Sequence, residues 1–240
     1  MMKNKTLRQM VILITVTLCL TIVIGQVNAN PTTLNVRVSA SSDDAEESLE
    51  DGSMDLHSSD LELGTNITTI PRRQAVGMRF VDIGIPQGVP ILDAAIQFTV
   101  DEFDDEVTNV RIFGELTPDS AAFSIADFDI TSRSLTTSSV VWANIPLWVT
   151  AGDAGPDQLT PDLGTIIQEI VDQPGWTVGN ALSIIIFPEP ITDSRGERTA
   201  ESFNGSASKA PLLTVKFIPA PSALALTVVG VLSLIRWRRQ

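Results

Sequence analysis

Carboxylates dominate the residues of this 240-residue chain that could do chemistry, and they come in runs. Between Ala40 and Gly64 lie Asp43, Asp44, Glu46, Glu47, Glu50, Asp51, Asp55, Asp60 and Glu62, without one Lys or Arg among them. Hard cations such as calcium take about six to eight oxygen ligands in a flexible shell. Asp43, Asp44, Glu46 and Glu47 supply part of such a shell if a second segment folds beside them; Asp101-Glu-Phe-Asp-Asp-Glu106 is the other candidate. Neither run has the Asp-x-Asp-x-Asp-Gly spacing of an EF-hand loop. The choice is between a structural calcium site and acidic loops that simply stay solvated.

Catalytic constellations are scarce. His57 is the only histidine, so zinc has no second imidazole, and no nucleophile motif accompanies it; it reads as an incidental surface residue. Ser206-Ala-Ser-Lys209 matches a Ser-x-x-Lys string, but it follows Asn204-Gly just before a strand, where serine and lysine are not one helical turn apart. Glu102 and Glu106 could in principle flank a glycosidic bond, yet with 29 acids such pairs arise everywhere. No catalytic residue and no cofactor ligand beyond the calcium candidates is assigned, so the chain is read as a non-enzyme. A hydrolase or lyase acting on polysaccharide through unidentified carboxylates is the alternative. Trp142, Trp148 and Trp176 are the residues that could stack on sugar rings, with core or loop anchoring expected for at least two of them.

The elements that must carry these residues read mainly as strands. In Leu92–Val100, Leu92, Ala94, Ile96, Phe98 and Val100 alternate with Asp93, Ala95, Gln97 and Thr99, the period of a half-buried strand. The same period recurs from Leu34, Thr108 and Leu212, and Val76-Gly-Met-Arg-Phe80 also reads as a strand. Leu182-Ser-Ile-Ile-Ile-Phe187 is apolar enough for the middle of a sheet covered on both faces. Met54-Asp-Leu-His and Asp60-Leu-Glu-Leu suggest two brief strands inside the acidic stretch. Leu163, Ile166, Ile167, Ile170 and Val171 break the pattern with a helical stripe. They predict one short amphipathic helix over about 161–173, capped by Thr160 and packed over an end or edge of the sheets. Turn signals such as Ile85-Pro-Gln-Gly and Thr117-Pro-Asp punctuate the rest. The expected fold is an antiparallel β-sandwich or jelly roll over residues 30–217, with hydrophobic helices at the two ends.

Those ends carry addresses. Lys3, Lys5 and Arg8 precede an apolar run from Met10 to Ile24 and then Val27-Asn28-Ala29. This is the layout of a secretory signal cleaved after Ala29 by signal peptidase. The rival, an uncleaved anchor, calls for a longer run. Cys19, the only cysteine, leaves with the signal. At the other end, Pro219 and Pro221 precede an apolar run from Ala223 to Ile235 and the bases Arg236, Arg238 and Arg239. That run falls short of the ~20 residues of a stable span. Of 16 bases, six sit in these two tails, while all 29 acids lie between them, which leaves the body 10 bases against 29 acids. A body at net −19 repels phosphate backbones and excludes nucleic acid as a partner.

Two resemblances follow from these residues. The tail, Pro219-Ala-Pro221 with an apolar run and Arg-Trp-Arg-Arg, resembles the PEP-CTERM sorting signal of exported bacterial proteins, with Ala220 where the family has Glu. The resemblance implies processing near Pro221 by an exosortase. It also implies a Gram-negative-type envelope, and release or attachment at the cell surface, often beside exopolysaccharide. The body resembles a jelly-roll-like module of large secreted bacterial proteins. The resemblance runs through Gln74-Ala-Val-Gly-Met-Arg-Phe, Ala95-Ile-Gln-Phe-Thr-Val-Asp-Glu, Pro174-Gly-Trp and Arg198-Thr-Ala-Glu-Ser-Phe. Its distant cousins are carbohydrate-binding modules that frequently hold a structural calcium. Together these imply a surface or matrix protein that binds, polysaccharide included, without catalysing, with the membrane met through the C-terminal segment.

Overall fold

The computed structural model describes residues 29–66, 72–189 and 196–220. Most of the expected signal peptide, both terminal hydrophobic helices, Pro221, Arg236, Arg238 and Arg239 lie outside the described residues. Ala29 and Pro219 flank the first and last strands. In chain order the strands are β1 (Thr32–Arg37), β2 (Asp44–Ser48), β3 (Met54–Asp55), β4 (Asp60–Glu62), β5 (Thr65–Asn66), β6 (Arg72–Phe80), β7 (Ile91–Gln97), β8 (Val110–Gly114) and β9 (Val140–Trp142). Helix α1 (Gly164–Val171) follows, then β10 (Leu182–Pro188), β11 (Thr199–Glu201), the one-turn helix α2 (Phe203–Ser206) and β12 (Leu212–Phe217). The protein is mainly β, and its strand pairs are antiparallel.

Strands β3, β2, β6, β10, β8 and β9 lie side by side in one large sheet, with β5 added along β6. A second sheet has the order β1, β12, β7, and β4 pairs with β11 in a third, smaller one. Their apolar faces close on a common core. Met78, Ile112, Ile184 and Ile186 from the large sheet meet Ala94, Ile96, Leu213 and Val215 from the second, and Leu61 and Ala200 from the third. On its opposite face the large sheet carries a smaller cluster of Ala45, Ala75, Phe123, Ile130 and Ile185. Burial on both faces is why β10 reads as an unbroken apolar run rather than an alternating one. Phe123 reaches that face over Gly77, where an added Cβ would stand 2.4 Å from the ring. The Arg133 guanidinium covers the ring from outside at 4.2 Å and is paired with Glu115 at 2.9 Å.

The helical stripe is real but shorter than predicted. Thr160 does not cap it: the threonine hydroxyl accepts the Ile96 N–H at 3.0 Å, while Asp162 accepts the N–H groups of Gly164 at 2.8 Å and Ala94 at 3.0 Å. Those two side chains, with backbone bonds from Phe98 to Gln158, Thr160 to Ile96 and Leu163 to Ala94, line the free edge of β7. The segment before α1 therefore serves as a cover for a sheet edge that would otherwise offer unpaired groups to another chain. Leu92, expected in the core, is 44% exposed because the buried set along β7 starts only at Ala94.

Candidate functional site

The acidic stretch folds. Instead of a solvated loop, Asp44–Ser48 forms β2, paired with β6 on one side and β3 on the other, and every one of its residues is buried. Because successive side chains of a strand point to opposite faces, the four carboxylates expected to share one ion are divided. On one face, Glu47 accepts the N–H groups of Ile130 at 2.7 Å and Thr131 at 2.9 Å. Asp43, just before the strand, forms a 2.6 Å ion pair with Arg79. On the other face, Asp44 accepts the Phe203 N–H at 2.7 Å and Glu46 accepts the Glu62 N–H at 2.6 Å. Burial pushes the Asp44 carboxyl up to about 6. Burial, and then the Glu62 carboxyl hydrogen-bonded to it, holds Glu46 well above the ordinary glutamate range.

What gathers instead is a set of acids from both predicted runs. Strand β4 pairs with β11, so that Asp60 stands opposite Glu201 and Leu61 opposite Ala200. The chain at 99–101 adds itself to β11 through a Val100–Ala200 bridge and hydrogen bonds between Asp101 N–H and Thr199 O and between Glu201 N–H and Thr99 O, both 2.9 Å. Leu61, Ala200 and Val100 all enter the core. The alternation then puts Asp60, Glu62, Glu201 and Asp101 on the other side of the same three segments. Asp60, Asp101 and Glu102 each bring a carboxylate oxygen within 4.8 Å of the others. Partial burial, and then the charges of Glu201, Asp60 and Glu102, raise the Asp101 carboxyl above its usual value. Lys209, 2.8 Å from Glu201, offsets part of this crowding. Phe103, next in sequence to Glu102, is 62% exposed.

The acids continue past Asp60. It shares a face of β4 with Glu62, and both lie close enough to Glu46 to disfavour its ionisation. One seam of carboxyls thus runs from β2 across β4 to residues 101 and 102. Sequence reasoning set Asp60 and Glu62 in the acidic run without naming them as ligands, and missed Glu201 altogether. The Asp60-Leu-Glu-Leu alternation was the available signal, because it places two acids on one face of a strand.

The other residues singled out by type do not assemble. His57 is exposed and its backbone N–H donates to Asp55 at 2.7 Å. Ser206 ends α2, which Ser202 caps by accepting the N–H groups of Asn204 and Gly205, and Lys209 is committed to Glu201 rather than to Ser206. Glu106 lies in a loop pinned by Arg198. This guanidinium, 1% exposed, donates to the backbone oxygens of Glu106, Ile145, Pro146 and Glu197 and to Thr108 Oγ1. Trp142, Trp148 and Trp176 are all buried. Trp148 Nε1 donates to Asp157 O at 3.1 Å and Trp176 Nε1 to Ile85 O at 2.9 Å. Their rings serve the core and the loops. Among the described residues no helix is long and apolar enough to cross a membrane. No family model matches the chain, and no curated protein matches it.

Proposed function

We propose that this chain is an exported, surface-sorted and non-catalytic protein. In this reading a jelly-roll-like β-sandwich serves as a binding or structural component of the cell surface or its exopolysaccharide matrix. Its tails direct the traffic: signal peptidase removes residues 1–29, and an exosortase-type protease acts on the segment from Pro219. The observation that carries a binding role is the convergence of Asp60, Asp101 and Glu102 on a 4.8 Å locus beside the exposed ring of Phe103. A calcium ion held by three carboxylates keeps positions open for vicinal sugar hydroxyls. An exposed aromatic face beside it gives the apolar side of a sugar ring a place to rest. A glycan array run with calcium and with chelator tests this. Saturable binding that disappears in chelator and in Asp101→Asn is expected; the reading fails if no glycan is retained under either condition.

The second reading, a polysaccharide hydrolase or lyase, is favoured by one feature. Burial and the adjoining Glu62 carboxyl hold Glu46 well above the ordinary glutamate range, the direction a general acid needs. Incubation of the same purified protein with bacterial polysaccharides separates the two readings. New reducing ends or unsaturated products would overturn the binding role.

A further inference from the structure

Beside the seam, at its β2 end, is an open depression of about 380 Å³ lined by Glu46, Ser48, Asp55, Glu62 and Gln74 among others. Strand pairing builds it. Gln74 stands opposite Ser48 across the β2–β6 ladder, and Asp55 stands opposite Glu46 across the β2–β3 ladder. Glu46 and Ser48 share a face of β2, being two residues apart.

One polar group of this depression has no partner among the described residues. Ser48 is 9% exposed, and its Oγ is buried with no hydrogen-bond partner among the described residues. Leaving a buried hydroxyl unmatched costs free energy. Across the ladder from it, the end of the Gln74 carboxamide lies 3.0 Å from Glu46 Oε1 and 3.3 Å from Glu62 Oε2. With its nitrogen there, Gln74 donates to both acids. Turned over, it adds a third oxygen to theirs, and three oxygens at these separations form one side of a hard-cation shell. The lining holds carboxylates, hydroxyls and one carboxamide, with Met54 as its only apolar member and no Lys, Arg, His or Cys. Such donors suit calcium and not a soft metal or an anion.

We propose that this depression is a divalent-cation site, with Glu46, Glu62, Gln74 and Ser48 as its protein ligands, Asp55 at its rim and water completing the shell. It is separate from the Asp60, Asp101 and Glu102 locus and does not depend on glycan binding. Strand β4 links the two loci, because Asp60 serves one and Glu62 the other.

Calcium titration of the purified, chelator-stripped protein by calorimetry tests the proposal, alongside thermal melts in chelator. Ser48→Ala removes a hydroxyl that no described residue uses, so its melting temperature in chelator is expected to equal or exceed that of the wild type. Its calcium affinity is expected to fall several-fold. Glu46→Gln is expected to weaken calcium by about tenfold or more, and the calcium event that survives in Asp101→Asn is the one lost in Glu46→Gln. Where Glu46→Gln does not fold, Ser48→Ala decides. The proposal is overturned if the protein takes up no calcium, if Ser48→Ala binds it as tightly as the wild type, or if Asp101→Asn abolishes all uptake. A glycan array that stays blank while calcium still binds sinks only the carbohydrate reading.

Discussion

Asp44 is the residue where charge and burial conflict most openly. It is buried in the middle of a sheet, beside Asp43, with one backbone N–H from Phe203 in compensation. Its carboxyl is pushed from the unfolded value of 3.8 up to about 6, so the folded state binds this proton more tightly than the unfolded chain does. The stability this contributes is fully present below the unfolded value and is lost as pH rises through the folded one. Asp44→Asn keeps an oxygen for the Phe203 N–H and removes the charge. In chelator it is expected to be more stable than the wild type by about 2 kcal/mol near pH 8 and indistinguishable from it at about pH 3. Denaturant melts at the two pH values check this, and an equal gain at both would show that the charge is not the cause. At this scale residue type was a fair guide to which groups matter and a poor one to their partners. The four acids at 43–47 look like one ligand set in the sequence, yet their partners are Arg79, Phe203, Glu62 and the 130–131 loop.

Among the elements, α1 shows how pattern and packing divide the work. The stripe of Leu163, Ile166, Ile167, Ile170 and Val171 was legible because a helix must bury one side, and all five are buried. Its start was not legible, because Thr160 and Asp162 are drawn to the backbone of β7, a neighbour 64 to 68 residues earlier in the chain that no local signal names. The helix approaches β8 at Gly114, where an added Cβ would stand 2.6 Å from Ile170 Cδ1 and 2.8 Å from Ile166 Cγ2. Gly114→Ala is therefore expected to cost about 1–3 kcal/mol. Gly84→Ala, whose Cβ would meet nothing nearer than Leu34 Cδ1 at 3.9 Å, is expected to cost less than about 1 kcal/mol. Equal losses in urea melts would show that the helix gives way. Strand β2 is the element hardest to read. Five residues with three acids, two on one face and one on the other, have low strand propensity, and only burial between β3 and β6 makes them a strand.

The whole molecule carries net −13, with every acid in the body between the basic tails. Like charges on a compact surface repel one another, and salt screens them over about 10 Å at 0.1 M. Raising NaCl from about 0.02 to about 0.5 M in chelator is expected to raise the melting temperature by a few degrees. A fall would mean that ion pairs such as Arg111–Glu189 and Arg79–Asp43 outweigh the general repulsion. Alternation, turn residues and one helical stripe are local properties, so the amino-acid order alone determined a mainly antiparallel β protein. It also determined an interior strand at Leu182–Phe187 and brief strands inside the acidic stretch. Only the tertiary structure decided which carboxyls meet. A two-residue period settles which face of its own strand a side chain takes, but the neighbour across that face is chosen by long-range pairing of buried apolar residues. Leu61, Ala200 and Val100 entering the core together are what bring Asp60 beside Asp101. The same pairing of β2 with β6 sets Gln74 against Glu46 and leaves the Ser48 hydroxyl without a partner among the described residues.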